Sequence, residues 1–191
     1  MNDGKNTEKR RSHTRRLVTA ALFAAICFGM TMVSVPLPMV GYGNLGDCFV
    51  LLSAWLLGPL WGAAAAGLGT ALANLALGYG LYAPATLVIK ALMAVAAYYV
   101  GRLLSGRATR MGRRLLAYVL AAVMGELIMI GGYFVYESIL YGMAAATGSL
   151  LGNGMQALAG IVMSTVLMTL IGENKVLRRV FARDGESLYH T

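Results

Sequence analysis

Residues 41–100 read GYGNLGDCFVLLSAWLLGPLWGAAAAGLGTALANLALGYGLYAPATLVIKALMAVAAYYV. Apolar runs alternate with short turns rich in Gly, Pro and Tyr, and Asn44, Asp47, Asn74 and Lys90 stand among them. About 20 apolar residues in a helix cross a hydrocarbon core roughly 30 Å thick, and runs near that length recur along the chain. Asp47 and Asn74 lie close to segment ends. Lys90 lies well inside an apolar run, where a charge is expensive, and is therefore a functional candidate by default.

Composition agrees with this reading. Hydrophobic residues make up 58% of the chain and charged residues 13%, too little polar surface to cover a soluble domain. The fold class expected is all-α, a polytopic membrane protein. A net charge of +8 raises the possibility of nucleic acid, but the basic residues flank apolar segments instead of lining a face, so they read as a topology signal. Cys27 and Cys48 read as small packing residues, since two cysteines make no disulfide framework. The apolar run after Arg16 is too long for the core of a cleavable signal peptide and lacks a convincing cleavage site.

In chain order, residues 1–16 form a basic cytoplasmic leader, expected to be disordered, and residues 172–191 a charged cytoplasmic tail. Between them lies a membrane domain, residues 17–171. Its first span covers about 17–35 and ends at Pro36 and Pro38, followed by a Gly-rich connection. The later segments cover about 46–58, 60–77, 84–104, 115–140 and 153–171, with an uncharged loop at 141–152. The second is short for a span. Charge decides whether it crosses: with six spans the leader, the 107–114 loop and the 175–183 tail all face the cytoplasm, and these regions hold or adjoin 15 of the 16 Lys and Arg residues. With five, the Arg-rich loop lands outside, against the positive-inside tendency. Six spans and two cytoplasmic termini are expected.

That topology gathers the polar residues in one leaflet. Asn44, Asp47 and Asn74 fall at outer ends, Lys90 about two turns below one, Tyr133, Tyr136 and Glu137 in the outer part of span five, and Asn153 and Gln156 at the outer start of span six. Only Glu126 lies near mid-depth. An outward-facing polar pocket accounts for all of them; the alternative is that each caps a helix end or pins two helices together. Glu126, Tyr133 and Glu137 share one helical stripe, flanked by Tyr136. Lys90 is expected to pair with Glu126 or Glu137, or to meet an anionic or carbonyl group of a ligand. Tyr82, Tyr133, Tyr136 and Trp55 offer stacking area; Asn74, Lys90, Glu126, Glu137 and Gln156 offer orienting groups.

Other patterns carry less. Gly41, Gly43 and Gly46 satisfy G-x-G-x-x-G with no βαβ unit around them, so they read as loop glycines. No phosphate-binding G-x-x-x-x-G-K-[ST] run is present. His13 and His190 lie in the tails, which removes a histidine metal site or Ser–His dyad from the bundle; no metal or other cofactor is expected. Ala20, Ala21, Ala24 and Ala25 form two overlapping A-x-x-x-A pairs, spacing that lets another backbone come close, within this chain or from a partner.

Three stretches, Gly43-Asn-Leu-Gly-Asp47, Leu-Gly-Pro-Leu-Trp-Gly62 and Gly69-Thr-Ala-Leu-Ala-Asn74, together with Tyr82-Ala-Pro-Ala-Thr-Leu-Val-Ile-Lys90, resemble the substrate-binding S components of energy-coupling factor (ECF) transporters, in particular the riboflavin-type subgroup. The resemblance covers all six spans in layout and is most specific from Gly43 to Lys90. It implies a six-helix bundle in a bacterial plasma membrane that captures a vitamin or precursor (riboflavin, pyridoxine or a hydroxymethylpyrimidine) from outside, with the loop after span one as a lid. It also implies that the A-x-x-x-A face docks on a membrane-embedded T component coupled to two ATPase subunits. No covalent chemistry and no nucleic acid enter this reading. A small membrane enzyme, or an assembly subunit without a ligand, is the alternative.

Overall fold

The computed structural model describes residues 2–37, 41–105, 111–174 and 176. Among them run six α-helices: α1 (Asn2–Met32), α2 (Gly46–Leu57), α3 (Pro59–Ala76), α4 (Ala83–Ser105), α5 (Met111–Tyr141) and α6 (Met143–Glu173). A short antiparallel hairpin, β1 (Ser34–Leu37) and β2 (Gly41–Asn44), joins α1 to α2, with Ser34 opposite Asn44 and Leu37 opposite Gly41.

Each break has a local cause. Gly58, at φ 84°, turns the chain between α2 and α3, and Pro59 opens α3 at a position where its missing N–H costs nothing. Gly142, at φ 85°, separates α5 from α6. The expected loop at 141–152 is not present; α6 begins at Met143, because the Ala- and Leu-rich residues after Gly142 sustain a helix. Asn153 and Gln156 are therefore interior to α6 rather than at its start. The leader departs from expectation too: α1 is continuous back to Asn2. The Gly-rich connection after span one is the hairpin. The basic loop and the tail fall largely outside the described residues.

Helices α1, α3, α4, α5 and α6 pack side by side in that order, and α2 lies inside the arc against α1, α3, α4 and α6. Eleven of the twelve residues of α2 are buried, among them Val50, Leu51, Trp55 and Leu56. At 1.5 Å per residue α2 is about 18 Å long, too short to cross by itself. Protein surrounds it, so it need not match the bilayer. Four segments are long and apolar enough to span: His13–Met32, Gly80–Ser105, Gly112–Tyr141 and Met143–Glu173. α3 is diluted by Ala and Gly for a different reason: a Cβ at Gly62 would lie 2.7 Å from Ser53 O on α2, one at Gly67 2.7 Å from Leu87 O on α4, and one at Gly69 2.3 Å from Ala24 O on α1. α3 is the helix that three neighbours approach at backbone distance. Leucines such as Leu60, Leu72, Leu103, Leu127 and Leu158 point outward, as a lipid-facing surface requires.

Contacts between helices settle their directions. At one end the rings of His13 and Trp61 are 5.5 Å apart, and Trp55, late in α2, packs 5.3 Å from Tyr118, early in α5. At the other end Asn74, late in α3, bonds Thr86, early in α4, and Ser149, early in α6, bonds Glu137, late in α5. Successive helices thus alternate in direction. His13, Arg102, Arg113 and Arg114 gather at the first end, the basic end; the second carries the site.

Candidate ligand-binding site

At the end opposite the basic residues, five helices (α1, α3, α4, α5 and α6) and the hairpin converge on a cavity of about 240 Å³. Thr31 comes from α1, Asn44 from β2, Thr70 and Asn74 from α3, Thr86 and Lys90 from α4, Tyr133 and Glu137 from α5, and Ser149, Asn153 and Gln156 from α6; Tyr79 and Tyr82 enter from the turn before α4. The wall is almost entirely hydroxyl, amide and phenol.

Its floor is one ion pair. Lys90 Nζ, in the second turn of α4, donates to Asp47 Oδ1, in the first turn of α2; both side chains are almost wholly buried. Gln156 Nε2 donates to the other oxygen of Asp47 at 2.6 Å, while Gln156 Oε1 accepts from the backbone N–H and side-chain amide of Asn44 at 3.3 and 3.2 Å. Asn44 Oδ1 in turn accepts from the N–H of Gly46 at 2.9 Å, satisfying a donor at the open end of α2. One chain of bonds thus joins α4, α2, α6 and the hairpin. Lys90 Nζ also lies 5.6 Å from the centre of the Tyr133 ring, within cation–π range. A second chain runs from Asn74 Nδ2 to Thr86 Oγ1 at 2.7 Å, and from Thr86 Oγ1 to Tyr133 OH at 2.8 Å.

The rim is aromatic and acidic. Tyr82 has the rings of Tyr133, Tyr136 and Tyr141 at 6.4, 5.6 and 6.4 Å. Its hydroxyl lies 3.4 Å from Glu137 Oε1, and Ser149 donates to Glu137 Oε2. Among the described residues Glu137 makes no ion pair. Two wall groups, the Thr31 hydroxyl and the Asn153 side-chain N–H, have no hydrogen-bond partner among the described residues. A residue kept only to pin helices would have one.

Of the residues singled out from sequence, Asn44, Asn74, Tyr82, Lys90, Tyr133, Glu137, Asn153 and Gln156 lie on this wall. Asp47 stands behind Lys90, and its pairing corrects the expected partner of that lysine, which meets neither Glu126 nor Glu137. The first turn of α2 simply lies nearer. Tyr136 sits at the rim, its hydroxyl donating to the carbonyl of Leu81. Trp55 is not a stacking surface for the cavity: it is fully buried towards the basic end, and its indole N–H donates to Ala97 O at 3.2 Å. Glu126 does not line the cavity either. Its carboxylate is buried beside Asp47, in space left by Gly160, where a Cβ would lie 2.4 Å from Glu126 Oε1 and 3.1 Å from Asp47 Cβ. Neither carboxylate oxygen of Glu126 has a hydrogen-bond partner among the described residues.

Thr31, Thr70, Tyr79, Thr86 and Ser149 were not foreseen. Four-residue spacing was the available signal for three of them. Thr70 precedes Asn74, Thr86 precedes Lys90 and Ser149 precedes Asn153 by one helical turn, which puts each on the same face as a residue already chosen. The alanines of α1 divide: Ala20 is buried and Ala24 faces Gly69, whereas Ala21 and Ala25 are exposed.

Residues 11–173 match the family of the ECF-type riboflavin transporter, S component. The chain belongs to this family. It is a substrate-binding subunit of a vitamin transporter of the ECF type, an integral membrane protein and not a member of an enzyme family. A solved structure of the S component of a bacterial ECF transporter shares the fold of this S component at a TM-score of 0.63, with 18% identity over 83% of this chain and 96% of that one. An uncharacterised protein of Pyrococcus woesei, in the region 3′ of gap, is 38% identical over 139 residues, 72% of this chain and 88% of its own.

Proposed function

We propose that this S component captures one small heterocyclic vitamin or precursor from the extracellular side, holding it in the cavity between Lys90, Glu137, Asn74 and Gln156 under the β1–β2 hairpin. The observation that carries this is the wall itself: polar groups from five of the six helices converge on one space, and the Thr31 and Asn153 donors have no partner there among the described residues. Tyr82 and Tyr133 supply faces against which a flat ring stacks. Pockets for drug-sized ligands occupy roughly 300–1,000 Å³; at about 240 Å³ this cavity favours a one-ring ligand such as pyridoxine or a hydroxymethylpyrimidine over riboflavin. Riboflavin, which the family's description names, needs the hairpin to give way.

The basic end faces the cytoplasm of the cell in this reading, because Arg-rich flanks stay on that side. Uptake then requires a T component and two ATPase subunits, since this chain carries no phosphate-binding loop. Ala21 and Ala25, exposed on α1, form the face for the T component; Ala20 and Ala24 are used inside the bundle.

The test is mass spectrometry of small molecules that co-purify with the protein, followed by calorimetry with riboflavin, pyridoxine and hydroxymethylpyrimidine. One of the three should bind with a single site. Release of a chemically altered product by the purified protein would favour an enzyme instead, and no bound molecule and no heat with any probe would favour an assembly subunit.

A further inference from the structure

We infer that the cavity selects by charge: it accepts neutral or cationic ligands rich in hydroxyl or N–H donors and rejects their phosphate esters, with Glu137 as the specificity-determining residue. This rests on the vitamin-binding function proposed above and deepens it. In the half of the bundle that holds the cavity, the described acidic and basic side chains are Asp47, Glu126, Glu137 and a single base, Lys90. Every other described basic side chain, from His13 to Arg114, lies at the opposite end.

Lys90 offers an anion little net charge, because Asp47 already neutralises it. Full transfer of that charge to a phosphate would leave the Asp47 carboxylate, 1% exposed, with Gln156 as its described partner and Glu126 beside it. An uncompensated buried charge costs more than a new surface contact returns. The helix termini at this end offer little more. α2 carries Asp47 in its first turn, and Glu137 accepts from Tyr82, just before α4, and from Ser149, early in α6. A carboxylate thus already occupies the positive end of the α2 dipole, and Glu137 already takes up the Tyr82 and Ser149 hydroxyls. A phosphate entering here meets Glu137 at close range with no cation of its own, whereas a ligand hydroxyl or ring N–H finds an acceptor.

Binding to the full-length protein in nanodiscs tests this with three pairs of probes: riboflavin, pyridoxine and hydroxymethylpyrimidine, each against its phosphate monoester. For whichever neutral form binds, the ester should bind at least about tenfold more weakly, since like charges at short range in a poorly screened site repel strongly. Raising the salt from 50 to 500 mM should narrow that ratio on the unaltered protein. Glu137→Gln should narrow it further, and Glu137→Lys should bring it to unity or invert it. Equal or tighter binding of the ester to the unaltered protein overturns the charge selection and leaves the vitamin-binding function standing. A ratio insensitive to salt and unchanged in a folded Glu137→Gln variant removes Glu137 from the role. Failure of all three neutral forms to bind overturns both readings together.

Discussion

Asp47 and Lys90 are 1% and 4% exposed at the side chain and neutralise one another at the floor of the cavity. Removing one member of a buried pair typically costs about 3–5 kcal/mol, because the survivor is left charged and dry. Lys90→Met and Asp47→Asn should therefore each lower stability by that order, while the double variant loses clearly less than the sum. Thermal unfolding of the purified protein, followed as a double-mutant cycle, gives the coupling directly. Gly160→Ala tests the neighbouring space, since its Cβ would meet the Glu126 carboxylate. A loss of about 1–3 kcal/mol is expected from overpacking, largely relieved by adding Glu126→Ala. Additivity of those two changes would mean that Gly160 is not there to seat Glu126. At this scale the sequence showed which residues were anomalous, Lys90 and Glu126 above all, but not their partners. A charge in an apolar run announces itself locally; its counter-ion comes from a helix about 40 residues away.

α3 and α1 meet through Gly69, whose Cβ would approach Ala24 O to 2.3 Å. Gly69→Val should push these two helices apart, lowering the unfolding temperature more than the same change at Gly148, which meets nothing within 4 Å. On α1 the four alanines that looked equivalent in sequence have two separate duties. Ala21→Trp should leave ligand affinity within a few-fold and abolish uptake by the assembled transporter, because its side chain points out of the bundle. Ala24→Trp should instead fail at folding. Transport that survives Ala21→Trp would take the docking face away from α1. Most element boundaries were legible: α2, α3 and α4 begin and end where Gly and Pro punctuate the apolar runs. The exceptions were α1, which continues through the basic leader to Asn2, and α6, whose small polar residues suggest a loop although a single glycine, Gly142, makes the whole break.

Across the whole molecule, alternating helices place His13, Arg102, Arg113 and Arg114 together and the cavity at the far end. Reporter fusions in the 106–110 connection and at the C-terminus should both be active in the cytoplasm, and a fusion at the β1–β2 hairpin should not. An extracellular signal from the 106–110 fusion would invert the orientation and close the cavity to outside ligand.

The amino-acid sequence by itself determined the class, the number of helices and the end of the molecule at which polar groups collect, because these depend on hydropathy, punctuation and the distribution of Lys and Arg, all of which are local; the stretches from Gly43 to Lys90 carried the resemblance to the family. Only the tertiary structure decided that Lys90 answers Asp47, that Trp55 and Glu126 stand away from the wall, that Thr31, Thr70, Thr86 and Ser149 belong to it, and that the alanines of α1 face two ways. Those facts depend on the rotation of each helix about its own axis. That rotation is set by packing against neighbours, Gly69 against Ala24 and Gly160 against Glu126, at distances no single segment encodes.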